Sequence, residues 1–421
     1  MSLIRKSSLP NGLKVITEEV PDVESSSIGV WVRTGSRDET PDCGGVSHFI
    51  EHLLFKGTER RTALDISRDI ESVGGVLNAF TGREYTCFYA KVLAGDLPLA
   101  IDLLSDMVLN STFDPVEIGK EKQVVLHEIK MVEDTPDDLI HDLYAERFWQ
   151  DHPLGRPILG TRGTIRSMPR RKILDYFRSR YGAGNIFITA AGKLDHDRVV
   201  GLVKKAFAGV GKGVRLPGTT SPVPRRGGRF HSKKRLGQAH LCLGVPVPPQ
   251  SHPDRFKVYL LSTILGGGMS SRLFQEVREK RALAYSVYSY LNLCRDSGSL
   301  VVYAGTSPES FSEVVDIILK EFAGLRRGVS AVELGHAKEQ LKGGMLLGLE
   351  TTDSRMTKLA RDEIYFGRTL PVKRIVREID RVTPDDMKTL ASRLLTSRRA
   401  TLVALGRVRK RGLPRVFVSA P

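Results

Sequence analysis

Gly45-Val46-Ser47-His48-Phe49-Ile50-Glu51-His52-Leu53-Leu54-Phe55-Lys56-Gly57 is the stretch on which the reading of the whole chain turns. At 3.6 residues per turn, His48 and His52 stand one above the other on a helix, with Glu51 on their flank. Val46, Phe49, Ile50, Leu53 and Leu54 follow the i, i+3, i+4, i+7, i+8 pattern and form an apolar stripe on roughly the opposite side. The spacing therefore predicts a helix over about residues 45–56, with one face for the core and the other for chemistry. Gly57 is expected to cap its C-terminus, because glycine enters the left-handed region without a side-chain penalty.

Two imidazoles and a neighbouring carboxylate suit a zinc ion, which in catalytic sites commonly takes two His, one Glu and a water. The missing ligand is sought in the stretch from Asp114 to Met131, which opens with an N-capping aspartate and Pro115 at the first helical position. Glu121 and Glu128 lie seven residues apart there and so share a face, one able to bind metal and the other to orient a ligand. The spacing alone equally fits a solvated acidic stripe, and His127 is a rival ligand.

At these residues the chain resembles the inverzincin peptidases of the pitrilysin and insulin-degrading enzyme group, whose motif is His-x-x-Glu-His. Residues 45–58 look like the family's zinc helix, and Glu121 and Glu128 like its paired glutamates. The resemblance implies His48, His52 and Glu128 as ligands of one Zn2+ per chain, with Glu121 behind them. Val76-Leu77-Asn78-Ala79-Phe80 resembles the edge strand that holds substrate, which implies binding through Asn78 and Ala79; His152-Pro153-Leu154-Gly155 is a further match. The similarity covers nearly the whole chain. Its length places it with the short bacterial processing-type peptidases and the β-subunit of mitochondrial processing peptidase. The implied activity is zinc-dependent endopeptidase cleavage of unstructured peptides or unfolded protein segments. Zinc would lower the pKa of its water toward roughly 7, and Glu51 would act as general base. Relatives that keep the fold without activity define the alternative, a non-catalytic scaffold or partner subunit.

The chain also reads as one domain used twice. Val116-Glu117-Ile118-Gly119 recurs as Val332-Glu333-Leu334-Gly335, each followed by a long helical pattern, and at that offset Glu128 falls on Gly344. The second copy has no His-x-x-Glu-His. Alternating runs such as Ser27-Ile28-Gly29-Val30-Trp31-Val32 and Ser299-Leu300-Val301-Val302-Tyr303-Ala304 mix with amphipathic helices such as 96–107. The expected fold is α+β: two similar domains from an internal duplication, each a mainly antiparallel sheet packed on helices, closing around a peptide chamber. The division is 1–210 for the catalytic domain, 211–228 for a breaker-rich linker, and 229–421 for the domain without metal.

In the second half, Leu265-Gly266-Gly267-Gly268-Met269 lacks the Lys-Ser/Thr of a phosphate loop and reads as a hinge or close-approach turn. From residues alone, Arg278 is a surface arginine on a helix and Tyr285 a tyrosine at a strand start. The resemblance instead implies that both contact the scissile region, Tyr285 stabilising the oxyanion, with Arg281 an alternative to Arg278.

With 421 residues, 41% apolar and 27% charged, the chain exceeds one ordinary core. The N-terminus lacks a signal-peptide apolar stretch and no run is long enough to span a bilayer, so a bacterial cytoplasmic location is expected rather than the mitochondrial matrix. Cys43, Cys87, Cys242 and Cys294 show no paired spacing and read as reduced; Cys43, just ahead of the zinc helix, is open to a redox role. The net charge of +16 sits in runs at 166–180, 225–235 and 407–415, none interleaved with aromatics, so nucleic-acid binding is not expected. The acidic stretch Glu133-Asp134-Thr135-Pro136-Asp137-Asp138 could receive basic substrate side chains or be a solvated loop. The expected partners are a peptide substrate and a second chain, in a homodimer or in a heterodimer with an inactive relative.

Overall fold

A computed structural model describes residues 3–211, 213, 220–233, 236–408 and 412–418. Parts of the linker and of the basic runs at 225–235 and 407–415 thus lie outside the described residues. The described part of the breaker-rich stretch is neither helix nor strand up to residue 226, and its last two residues open a strand.

The first compact unit comprises residues 1–131, 156–220 and 348–369. Its sheet has six strands: β1 (Leu3–Ser8), β2 (Lys14–Glu19), β3 (Ser25–Val32), β4 (Val76–Thr81), β5 (Thr86–Leu93) and β6 (Ile186–Gly192). They run in the order β1-β2-β6-β3-β5-β4. All neighbours are antiparallel except β2 and β6. Side chains alternate across a strand, and the buried residues sort accordingly. Ile28, Val30 and Val32 of β3, with Phe88, Ala90 and Val92 of β5, join the core beneath the helix Val46–Leu54. Trp31, Cys87 and Phe187 face the other way, onto Met356, Leu359 and Ala360 of the helix Thr352–Phe366. β3 is buried on both faces, because that helix roofs its second face: Ser27 Oγ meets Thr352 Oγ1 at 2.8 Å, and Thr189 Oγ1, which accepts from Trp31 Nε1 at 2.7 Å, donates to Met356 O at 3.0 Å. Burying Met356 and Leu359 contributes on the order of 3–6 kcal/mol, comparable with a whole domain's net stability. The roof is thus integral to this unit.

The second unit comprises residues 132–155, 221–347 and 370–421. Its sheet is β7 (Gly227–His231), β8 (Ala239–Pro246), β9 (Ala284–Leu293), β10 (Gly298–Thr306) and β11 (Thr401–Leu405), in the order β7-β11-β8-β10-β9. Only β7 and β11 are parallel. The period of two is again visible: Leu300, Val302 and Ala304 enter the main core, while Val301 and Tyr303 face Ile140, Tyr144 and Phe148 of the helix Pro136–Phe148.

The duplication is therefore real in three dimensions. Corresponding helices start at Pro115 and Ala331, and at Pro136 and Thr352, both pairs separated by 216 residues. In each copy the second of these helices roofs the sheet of the other copy, so both compact units are discontinuous in sequence and depart from the linear division at 211–228. Among the described residues, no helix is long and apolar enough to cross a membrane. All four cysteines are free and buried, Cys43 included.

Candidate metal centre

The zinc-helix stretch forms a helix over Val46–Leu54 whose N-cap, Gly45, has φ +90°. Val46, Phe49, Ile50, Leu53 and Leu54 are all buried, as their spacing requires. Its end differs from expectation. Phe55 N and Lys56 N bond back to His52 O and Leu53 O, a tightened last turn, and Phe55 is the C-cap in the right-handed region. Gly57 lies beyond it with φ +120°, opening an antiparallel bridge to Thr62. Glycine is needed there for the bridge, not for the cap.

The second helix, Pro115–Asp134, starts as its sequence dictates: Asp114 Oδ1 accepts from Val116 N at 2.8 Å and Glu117 N at 3.1 Å. Ile118, Val125 and Ile129 anchor it to the core. This burial turns Glu121 and Glu128 toward the first helix.

His48, His52 and Glu128 converge, with one ligand atom from each mutually within 4.8 Å. Glu128 Oε2 is 3.7 Å from His48 Nε2 and 3.6 Å from His52 Nε2. The edges of a tetrahedron with metal–ligand bonds of about 2.0–2.1 Å are about 3.3–3.5 Å, so these gaps have the right size for an ion. Glu128 is about one-third exposed as a side chain, yet its Oε2 is buried without a hydrogen-bond partner. A buried carboxylate oxygen facing two imidazole nitrogens would be costly unless a cation completes it. The residues fit a divalent ion. Burial, aided by the neighbouring His52 ring, pushes His48 down to about 4, which keeps its imidazole neutral and able to ligate. His127, the rival ligand, is absent from this cluster, the only such group among the described residues.

Around the three converging side chains the structure adds an outer layer. Glu121 is buried, with Oε2 3.0 Å from His52 Nδ1 and Oε1 2.8 Å from Lys56 Nζ. It thus fixes the ring so that the opposite nitrogen is free for metal. Glu51 is not among the converging ligands; its carboxylate accepts from Thr81 Oγ1 at the end of β4. Burial raises its pKa, against the hydrogen bond from Thr81 and the field of His52, while Glu128 raises it further. A carboxyl tuned upward beside a metal site is the usual makeup of a general acid–base.

Three of these contacts escaped the sequence reading. Lys56 was legible as the i+4 neighbour of His52, whereas Thr81, and Glu39, whose carboxylate accepts from Gly45 N and Ser47 N at the start of the His48 helix, carry no periodic signal. β4 is the edge strand that the resemblance implied, and its pairing of Ala79 with Phe88 puts Thr81 beside Glu51. The amide of Ala79 is engaged locally by Asn78 Oδ1 at 2.8 Å.

Arg278 and Tyr285 belong to the second unit. Arg278 lies in a π-helical turn, Phe274–Glu279, and Tyr285 is 80% exposed in β9. The guanidinium sits 4.9 Å from the centre of the Tyr285 ring and 4.8 Å from that of Phe274. Arg281 instead pairs with Glu276 at 2.5 Å. Gly266 and Gly267 make the close-approach turn: a Cβ would lie 2.6 Å from Ser289 N at the first and 2.6 Å from Thr263 Cα at the second. The acidic stretch spans the junction between two helices, with Asp134, Asp137 and Asp138 exposed.

Two histidines and a glutamate converging on one point, with a second carboxylate held beside it on an α+β frame, are the layout of a metal-dependent hydrolase. Residues 14–162 match the family described as insulinase, peptidase family M16, and residues 167–341 match its M16 inactive domain. The chain belongs to the M16 peptidase family. A protein of Mycobacterium bovis named as an uncharacterized zinc protease is 43% identical, covering 97% of this chain and 95% of that protein. The Bacillus subtilis uncharacterized zinc protease YmxG is 40% identical, covering 94% and 96%. The same fold recurs in a Helicobacter pylori protease (TM-score 0.89, 22% identity, 96% and 100% covered). It recurs also in a peptidase M16 inactive domain from Pseudomonas fluorescens (TM-score 0.91, 21% identity, 98% and 100% covered).

Proposed function

We propose that this protein is a zinc-dependent endopeptidase acting on unstructured peptides, with His48, His52 and Glu128 as ligands and Glu51 as general base. The observation that carries the proposal is the unpartnered Glu128 Oε2 facing two imidazole nitrogens, with Glu51 beside the cluster but outside it. When bound, zinc would supply Lewis acidity toward a carbonyl and toward water. The chain's own groups do the rest. Thr81 holds the Glu51 carboxyl in place, and Glu51 takes a proton from the attacking water and returns it to the leaving amine. Glu121 keeps the His52 ring from rotating, and Lys56 holds the other oxygen of Glu121 in place.

Substrate binds as a strand added to β4, whose far edge is unpaired among the described residues. Backbone pairing of this kind requires an extended peptide and gives little sequence selectivity. Asn78 must release the Ala79 amide for that register to form. Tyr285, steadied by its stacked Arg278, is the proposed oxyanion donor. The test compares hydrolysis of an internally quenched, unstructured peptide by wild type and Glu51→Gln, with zinc measured in both. Cleavage by wild type only, at equal zinc content, is expected. Equal cleavage by both would end the role of Glu51, and cleavage by neither would leave a scaffold.

A further inference from the structure

The zinc helix has only nine residues and begins at a position that cannot cap itself. Gly45 has φ +90°, and a Cβ there would lie 2.6 Å from Leu159 O and 2.9 Å from Gly160 Cα. No Ser, Thr, Asp or Asn, the residues that ordinarily satisfy the first amides of a helix, fits at that position. A remote carboxylate takes over. Glu39 is 3% exposed, and its Oε2 accepts from Gly45 N at 2.8 Å while its Oε1 accepts from Ser47 N at 2.8 Å. Its own backbone is tied down by Arg156, whose guanidinium donates to Glu39 O at 2.8 Å. Ser47 is held from its other side: its Oγ is 3.0 Å from Tyr176 OH, which is 3.1 Å from Thr34 Oγ1.

We infer that Glu39 is a positioning residue of the metal centre, acting through the backbone of Gly45 and Ser47 to set the rotation of the first helical turn. The inference rests on the zinc reading above. His48 directly follows Ser47, and Glu51 lies one turn on, so a rotation of that turn moves one ligand and the general base together. A two-point grip on amides two residues apart fixes rotation about the helix axis, which a single capping bond does not. Burial pushes the Glu39 carboxyl up to about 7 against the two amide hydrogen bonds, while the positive end of the helix favours its anionic form.

The test uses the full-length protein with Glu39→Gln, which preserves shape but turns one acceptor into a donor facing an N–H. Zinc affinity is measured by competition with a chromophoric chelator, and kcat and KM separately on the quenched peptide. Zinc binding is expected to weaken about 10-fold, within the range seen for groups behind metal ligands. For the zinc-saturated variant, kcat should fall while KM stays within about twofold, since Glu39 touches neither substrate nor β4. Glu39→Asp, which keeps the charge but cannot span both amides, should show the same pattern more weakly and serves if the Gln variant does not fold. Unchanged zinc affinity and kcat in whichever variant folds, with only a lowered melting temperature, would overturn the inference and leave Glu39 a stabilising cap. Wild type that binds no zinc would instead refute the reading beneath it.

Discussion

Replacing Glu121 by Gln isolates what an outer carboxylate does for a metal ligand. In the native protein its two oxygens serve His52 Nδ1 at 3.0 Å and Lys56 Nζ at 2.8 Å, in a buried position. Glutamine is isosteric and keeps one acceptor, so the ring can still be oriented. The charge is lost, and with it one of the two charge-assisted bonds. A hydrogen bond to a charged group contributes about 1.5–3 kcal/mol against about 1 for a neutral one. The His52 contact should therefore weaken by roughly 0.5–2 kcal/mol, which is about 2- to 30-fold in zinc affinity. Unpairing of Lys56 adds little, because its side chain is one-third exposed and water can replace the carboxylate. The expected outcome is a zinc dissociation constant raised about 10-fold in chelator competition, with fold and secondary structure intact by circular dichroism. An affinity within twofold of wild type would refute the reasoning and make Glu121 a packing residue.

Three further predictions concern the frame and the second unit. Burial alone would raise the pKa of Asp106, but hydrogen bonds from Asn110, Arg61, Thr58 and Arg60 outweigh it and bring the group down to about 2. A depressed carboxylate stabilises the fold above its unfolded pKa and loses that contribution as pH falls from about 4 toward 2. Asp106→Asn should therefore lose about 2 kcal/mol in urea unfolding at pH 7, and the gap to wild type should shrink at pH 2–3; a gap that does not depend on pH would contradict this. Gly45→Ala should lower stability by several kcal/mol in the same assay, through positive φ and the clash with Leu159 O; tolerance of alanine would mean that the turn can relax. Tyr285→Phe should lower kcat more than it raises KM, and an unchanged kcat would remove it from the transition state.

Much of the site was legible because helical periodicity ties chemistry to packing. Once Val46, Phe49, Ile50 and Leu53 must face the core, His48 and His52 must face away from it. Glu121 and Glu128 were put on one face by their seven-residue spacing and given their roles by the resemblance, while the burial of Ile118, Val125 and Ile129 that turns them toward the first helix came from the structure. The internal duplication was visible because the helix starts keep a constant offset. What escaped are features set by tertiary structure alone. No local pattern marks Glu39, in a coil between two short helical turns, as the cap of a helix six residues on. Thr81 meets Glu51 only because β4 pairs with β5 in one register. The crossed roofing helices are invisible to sequence because Pro136–Phe148 and Thr352–Phe366 would satisfy the same apolar demand on either sheet. The end of the zinc helix was misplaced by two residues because Gly57 signalled a positive φ that belongs to the following bridge.

The central claim is that His48, His52 and Glu128 close around one zinc ion. Its most direct test is anomalous diffraction at the zinc edge from crystals of the purified protein, paired with elemental analysis of the same preparation. The account predicts one zinc per chain and a single anomalous peak within bonding distance of His48 Nε2, His52 Nε2 and a Glu128 carboxylate oxygen. An anomalous peak elsewhere, or protein that stays metal-free in excess zinc, would contradict it.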